Sequence, residues 1–187
     1  MFLLALSCAH PVELPPQVQT GGPETPALSP VPPDMPADAL TPSPFGPDAL
    51  RAAFPVGSLV RLRIRKAGEA ETVERWDVTA ADDAGMTIAS KVYNADGTLL
   101  RDEGTGTSTW AELTTHGQFP FAQTVKEDSS VDVPAGHFET WLYTVIDAEK
   151  DTVSRYHFAK TLPGPPVLFS VVAGKGTVLE MALVERK

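Results

Sequence analysis

The stretch Val131–Phe169, VDVPAGHFETWLYTVIDAEKDTVSRYHFAKTLPGPPVLF, decides how the rest of the chain is read. Phe138, Thr140, Leu142, Thr144 and Ile146 share one face of a period-2 strand, and Glu139, Trp141, Tyr143 and Val145 share the other. Apolar groups on both faces place this strand inside a sheet rather than at its rim. Asp147–Asp151 is too polar to bury and reads as a hairpin tip, after which Val153, Arg155 and His157 alternate with Ser154, Tyr156 and Phe158. Leu162-Pro163-Gly164-Pro165-Pro166 ends the second strand, because its three prolines carry no ladder donors. Val167–Val172 and Thr177–Val184 then form a last hairpin about the Gly174–Gly176 turn.

The corner at Leu162–Pro166 has two readings. Stiffened by proline, with Gly164 as its one free joint, it sets the angle of the final hairpin and so the openness of a concave sheet face. Otherwise it is a passive loop whose prolines only restrict the unfolded chain.

Working back toward the N-terminus, further strands are expected at Ser58–Arg65, Thr72–Ala80, Met86–Tyr93 and Thr98–Asp102. Asn94-Ala95-Asp96-Gly97 marks a tight turn between the last two. Asp48–Phe54 suits a short helix, opened by Pro47 and stopped by Pro55. Gly104–Thr107 reads as a loosening of the chain. Thr109–Leu113 is either a strand end or one helical turn capped by Ser108 or Thr109. Thr114–Glu127 reads as a loop crossing an open face of the sheet. The fold class is therefore mostly β, a single curved antiparallel sheet or half-open barrel of about eight to ten strands with a short N-terminal helix.

Residues 9–47 hold twelve of the chain's eighteen prolines and few aromatic or β-branched residues. That composition reads as a disordered, proline-rich tether, or as a plain linker. Residues 1–8, MFLLALSC, resemble the end of a bacterial lipoprotein signal peptide in which Cys8 is lipidated. Ala5 stands where that family usually has leucine, and a basic leader is missing. The alternative is an apolar N-terminus with an incidental cysteine. The expected division is thus 1–8 signal end, 9–47 tether and 48–187 folded domain.

Composition narrows the function classes. A formal net charge of −9 speaks against nucleic acid and against a polybasic membrane patch. One cysteine rules out an intrachain disulfide and a thiolate zinc cluster. No apolar run reaches the roughly 18–20 residues that span a bilayer. His116, His137 and His157 stand in no metal-ligand spacing, and Ser129, Ser130 and Ser154 lie in no nucleophile elbow. Asp82-Asp83 and Glu127-Asp128 sit in expected turns, and Gly104-x-Gly106 does not lead from a strand into a helix as a phosphate loop does. No catalytic residue, metal site or cofactor is expected. The row Arg61, Arg63, Arg65 reads as the wet face of an edge or outer strand rather than an anion site. Trp76, Trp110, Trp141, Tyr143, Tyr156 and Phe158 are either core or, in a strongly curved sheet, the lining of a ligand pocket. Trp141 and Phe138 are expected to be buried, one on each face of their strand.

Val133-Pro134-Ala135-Gly136-x-Phe138-x-x-Trp141-x-Tyr143-x-Val145, followed by Phe158-Ala159-x-x-Leu162-Pro163-Gly164-Pro165-Pro166-Val167, resembles a family of uncharacterised bacterial envelope proteins, secreted or lipid-anchored. Their shape is similar to the half-open barrels of the lipoprotein-localisation carriers LolA and LolB. The resemblance covers about residues 56–186 and carries structural motifs only. It implies the fold and an envelope address, periplasmic or at the outer membrane, with the membrane touched only through a lipid anchor. The function expected of the chain is a non-enzymatic envelope lipoprotein domain that binds a lipid or other apolar ligand, or an envelope protein, on a concave sheet face. A structural interaction module with a filled core is the alternative, and a hydrolase is a distant third.

Overall fold

A computed structural model describes residues 27, 28, 34–36, 38–174 and 176–187. Cys8 and the proposed signal end lie outside the described residues, as does most of the tether. Among the described residues nine strands form one antiparallel sheet: β1 Leu59–Lys66, β2 Thr72–Ala81, β3 Gly85–Asn94, β4 Leu99–Thr109, β5 Thr124–Val133, β6 Gly136–Asp147, β7 Thr152–Ala159, β8 Leu168–Ala173 and β9 Gly176–Arg186. Their order is β4-β3-β2-β1-β9-β8-β7-β6-β5, so each strand pairs with its sequence neighbour except where β1 meets β9. The sheet does not close, and β4 and β5 are its edges. Two helices, α1 Pro47–Ala53 and α2 Trp110–Thr115, and a 3-10 turn at Phe121–Gln123 complete the described elements.

Pairing register puts one continuous apolar row on one face. It runs Tyr143, Tyr156, Phe169, Met181, Ile64 across β6, β7, β8, β9 and β1. A second pair, Trp141 and Phe158, lies on the same face, and so does Val60 opposite Trp76 on β1 and β2. The row needs cover, and α1, α2 and the segments before and after them supply it. Phe45, Leu50, Phe54, Trp110 and Phe119 are all buried in one cluster with Val60, Leu62, Tyr143 and Phe158. Tyr143 is fully buried, and its hydroxyl donates to the Pro42 carbonyl at 3.3 Å.

Local chemistry fixes the cover. Pro47 opens α1 at a position where its missing N–H costs nothing. Thr109 and Glu112 form a reciprocal capping box on α2, which settles Thr109–Leu113 as the start of a helix and Thr109 as its cap. The indole N–H of Trp110 donates to the Asp82 carbonyl at 2.9 Å, tying α2 to the β2–β3 turn. At the expected Asn94–Gly97 turn, Gly97 has φ +89°, which only glycine adopts freely.

Three differences from the sequence reading have physical causes. The strand Thr124–Val133 stands where Thr114–Glu127 reads as a loop, because KEDSS gives no apolar alternation; it is an edge strand with much of its length exposed. β4 runs to Thr109 through Gly104 and Gly106, a bulge at Gly104 (φ +78°) absorbing the irregularity. The third concerns the tether: part of the 9–47 segment is packed. Leu40 bridges Pro120, and Thr41 and Phe45 are buried. Phe45 lies 5.9 Å from the ring of Trp141 and 6.2 Å from that of Phe158, which makes it part of the core despite its proline-rich neighbours.

Trp141 and Phe138 are only half-buried. The fully buried positions of β6 are Tyr143 on the covered face and Thr140 and Thr144 on the other. Trp141 pairs with Asp128 of the edge strand β5, and Lys126 lies 5.2 Å from its ring centroid, so one side of the indole stays near solvent.

Candidate functional site

Between the sheet and its cover the packing is incomplete. A cavity of about 430 Å³ lies on the apolar face. Its floor is Trp76, Ile88, Tyr156, Phe158, Phe169 and Met181, contributed by β2, β3, β7, β8 and β9. Its roof is Phe45, Leu50 and Phe54, from α1 and the segment before it. One wall is the end of α2 with Leu113 and His116, and the other is Gly164-Pro165-Pro166. The volume falls within the range of small-molecule sites.

The lining chemistry is nearly all hydrocarbon. No Asp, Glu, Lys or Arg is among the described residues that line it. Trp76 spends its indole N–H on Glu74 Oε1 at 2.8 Å. Ser43 spends its hydroxyl on the Phe45 carbonyl at 3.1 Å. Ser108, His116 and Tyr156 are the other polar side chains of the lining, and His116 is exposed at the rim. Tyr156 lies between Phe119 at 4.5 Å and Phe169 at 4.6 Å, and burial pushes its phenol pKa above the usual tyrosine value. The phenol thus stays neutral at ordinary pH.

The proline corner is held by a latch. At Gly164 (φ +149°) a Cβ would lie 2.6 Å from an Arg186 nitrogen and 2.9 Å from the Phe54 ring, so glycine is required there. The Arg186 guanidinium stacks 4.0 Å from the centroid of Phe54 and donates to the Ala53 carbonyl at 2.9 Å. It thereby caps the C-terminal end of α1, where carbonyls lack partners. Burial pushes its pKa down to about 10. The corner, α1 and the end of β9 are joined at this point.

Of the six aromatic residues singled out in the sequence, Trp76, Tyr156 and Phe158 line the cavity. Trp110, Trp141 and Tyr143 do not: Trp110 anchors α2, Trp141 packs beside Phe45, and Tyr143 fills the core below. The floor also uses Ile88, Phe169 and Met181, which the sequence pattern did not single out. The roof residues were not legible as site residues, because their placement depends on the proline-rich segment folding back. Among the described residues no group of three or more His, Cys, Asp or Glu side chains is placed to hold a metal ion. His137 has Asp132 Oδ1 at 2.9 Å and Glu139 Oε1 at 3.6 Å, on the exposed β5–β6 tip. His157 Nδ1 lies 3.3 Å from Thr140 Oγ1, on the sheet face away from the cavity.

The arginine row lies on the opposite face as an ion-paired surface, and its strand β1 is not an edge or outer strand as expected but sits inside the sheet between β2 and β9. Arg61 meets Glu185 at 3.5 Å, Arg65 meets Glu71 at 2.7 Å, and Arg63 shares Glu180 with Arg65 at 3.5 Å.

No family model matches the chain, and no curated protein matches it. The chain is similar to two solved structures. One is a protein of Bacteroides fragilis described as exported and of YmcC-like fold, with 11% identity and a TM-score of 0.40 over 71% of this chain and 96% of that one. The other, from Parabacteroides distasonis, is described as a lipoprotein, with 9% identity and a TM-score of 0.44 over 78% and 99%.

Proposed function

We propose that the chain is a non-enzymatic domain of a bacterial envelope lipoprotein that holds an apolar ligand between its sheet and its helical cover. The observation that carries this reading is the cavity of about 430 Å³, with no Asp, Glu, Lys or Arg among the described residues of its lining. A void in a protein interior forfeits dispersion contacts on every wall, and an apolar occupant restores them. A polar occupant would find few free hydrogen-bonding groups there. The cavity also favours a carrier over a structural module with a filled core. Among the described lining residues His116 has no carboxylate partner and no hydrogen bond to Ser43 or Ser108, so the hydrolase reading gains no support from a nucleophile–base pair there. The envelope address rests on the lipoprotein-like run ending at Cys8 and the proline-rich composition behind it.

Mass spectrometry of an organic extract of the purified full chain tests this reading. Lipid or another apolar molecule, recovered near one per chain and lost from a variant with the cavity filled, supports it. A chain that carries nothing and takes up no apolar dye contradicts it.

A further inference from the structure

We propose that the segment Ala39–Phe45 is the door of this cavity and controls how fast the apolar ligand enters; the inference rests on the cavity-carrier reading given above. The other parts of the enclosure are tied down. α1 is fixed by Leu50 and Phe54 and by the Arg186 latch. α2 is fixed by Trp110 and a capping box. The corner is stiffened by Pro163, Pro165 and Pro166.

The Ala39–Phe45 segment is held differently. Its hydrogen bonds to the Phe119 loop lie at one end: Thr41 N–H donates to the Phe119 carbonyl at 2.8 Å, Phe121 N–H to the Ala39 carbonyl at 2.8 Å, and Phe119 N–H to Thr41 Oγ1 at 3.0 Å. Beyond Thr41, Pro42 and Pro44 have no N–H to give, and the Ser43 hydroxyl is spent within the segment itself. The segment therefore cannot zip into a ladder where it crosses the cavity. What seats it there is the Phe45 ring and one bond from the Tyr143 hydroxyl. Few backbone bonds and a single apolar plug make a locally weak unit, of the kind that opens without global unfolding. Ser43, Pro44 and Phe45 all line the cavity, so their displacement exposes it.

A reversible clamp tests the door. Leu40 and Pro120 face each other as a bridge with no hydrogen bond between them, the close antiparallel pairing of about 4.5 Å between Cα atoms. That spacing is within disulfide reach, and both side chains are exposed and outside the cavity. The full chain carrying Cys8→Ser, Leu40→Cys and Pro120→Cys is mixed with the uncharged dye N-phenyl-1-naphthylamine in stopped flow, oxidised and reduced. A second chain, Thr41→Val, removes one tie without touching the lining.

Oxidation should slow uptake on the order of tenfold, since entry then needs a motion the clamp opposes, and leave final fluorescence unchanged. Thr41→Val should speed uptake severalfold. Dye bound at equal rates in the oxidised, reduced and Thr41→Val chains overturns the door and leaves the cavity reading standing. If thiol titration shows that the clamp has not closed, the Thr41→Val rate alone decides. No dye bound by any form overturns the cavity reading and the door with it.

Discussion

The two faces of this sheet are written by the same strands and behave oppositely. In β1, Val60 and Leu62 sit in the buried cluster while Arg61 and Arg63 pair with Glu185 and Glu180 on the other side. Around β1 and β9 the ionic face needs no cover, since its charges are neutralised by neighbours one strand away and remain partly wet. The aromatic face must be covered, and the chain covers it with elements from both sides of β1–β4: the N-terminal segment with α1, and α2 with the loop after it. A cover assembled from separate short pieces does not mate perfectly with a twisted sheet. The cavity is where the mismatch is left.

The largest expected effect lies on the covered face. Tyr143→Ala should cost roughly 3–5 kcal/mol in denaturant unfolding, the usual range for deleting a buried aromatic. Trp141→Ala should cost about 2 kcal/mol, because its ring is only half-buried. Equal losses at the two positions would erase the distinction between core and margin. Starting the chain at Asp48 removes Phe45 and Thr41 and should also lower stability by a few kcal/mol. An unchanged midpoint would show that the N-terminal segment is no part of the cover.

How much of this was legible beforehand follows from where each signal lives. The single antiparallel sheet, β6 and β7, and the arginine row of β1 were readable, since period-2 alternation is a local property of the residues, whereas the carboxylates that pair with that row were not. The edge strand β5 was not, because an edge exposed to solvent gives up the alternation that marks a strand. Phe45 was hidden for another reason. Its neighbours Pro42, Pro44 and Pro47 read as a tether, and a composition average cannot show that one aromatic side chain returns to the core. The cavity was legible only as one of two alternatives. Parity tells which side chains face inward, and only the placement of the cover tells whether they touch.

Smaller effects belong to the ionic face. Arg63→Gln should cost under about 1 kcal/mol, as exposed or half-exposed pairs generally do, and the difference should shrink in high salt. A loss as large as that of Tyr143→Ala would mean the face is structural after all. The smallest effect is in pH. Hydrogen bonding to Asp132, then its charge, raises the His137 pKa above 6.5, so its contribution is complete below that value and is lost as pH rises through the folded pKa. Burial, then Arg155, lowers the His157 pKa below 6.5, so its neutral form is favoured and stability falls as pH drops from 6.5 through the folded value. Imidazole proton resonances followed by NMR should titrate on opposite sides of 6.5, and a reversed order would contradict the geometry of both sites.

The central claim is that the covered face, and not the ionic one, receives an apolar ligand. It is tested most directly by an equilibrium titration of N-phenyl-1-naphthylamine into three chains: the unaltered protein, Ile88→Trp with a larger side chain in the cavity floor, and Arg63→Gln on the opposite face. The account predicts a saturable site in the unaltered chain, the same affinity in Arg63→Gln, and at least a roughly tenfold loss in Ile88→Trp with the fold intact by circular dichroism. Binding that survives Ile88→Trp and weakens in Arg63→Gln would put the ligand on the wrong face and contradict the account.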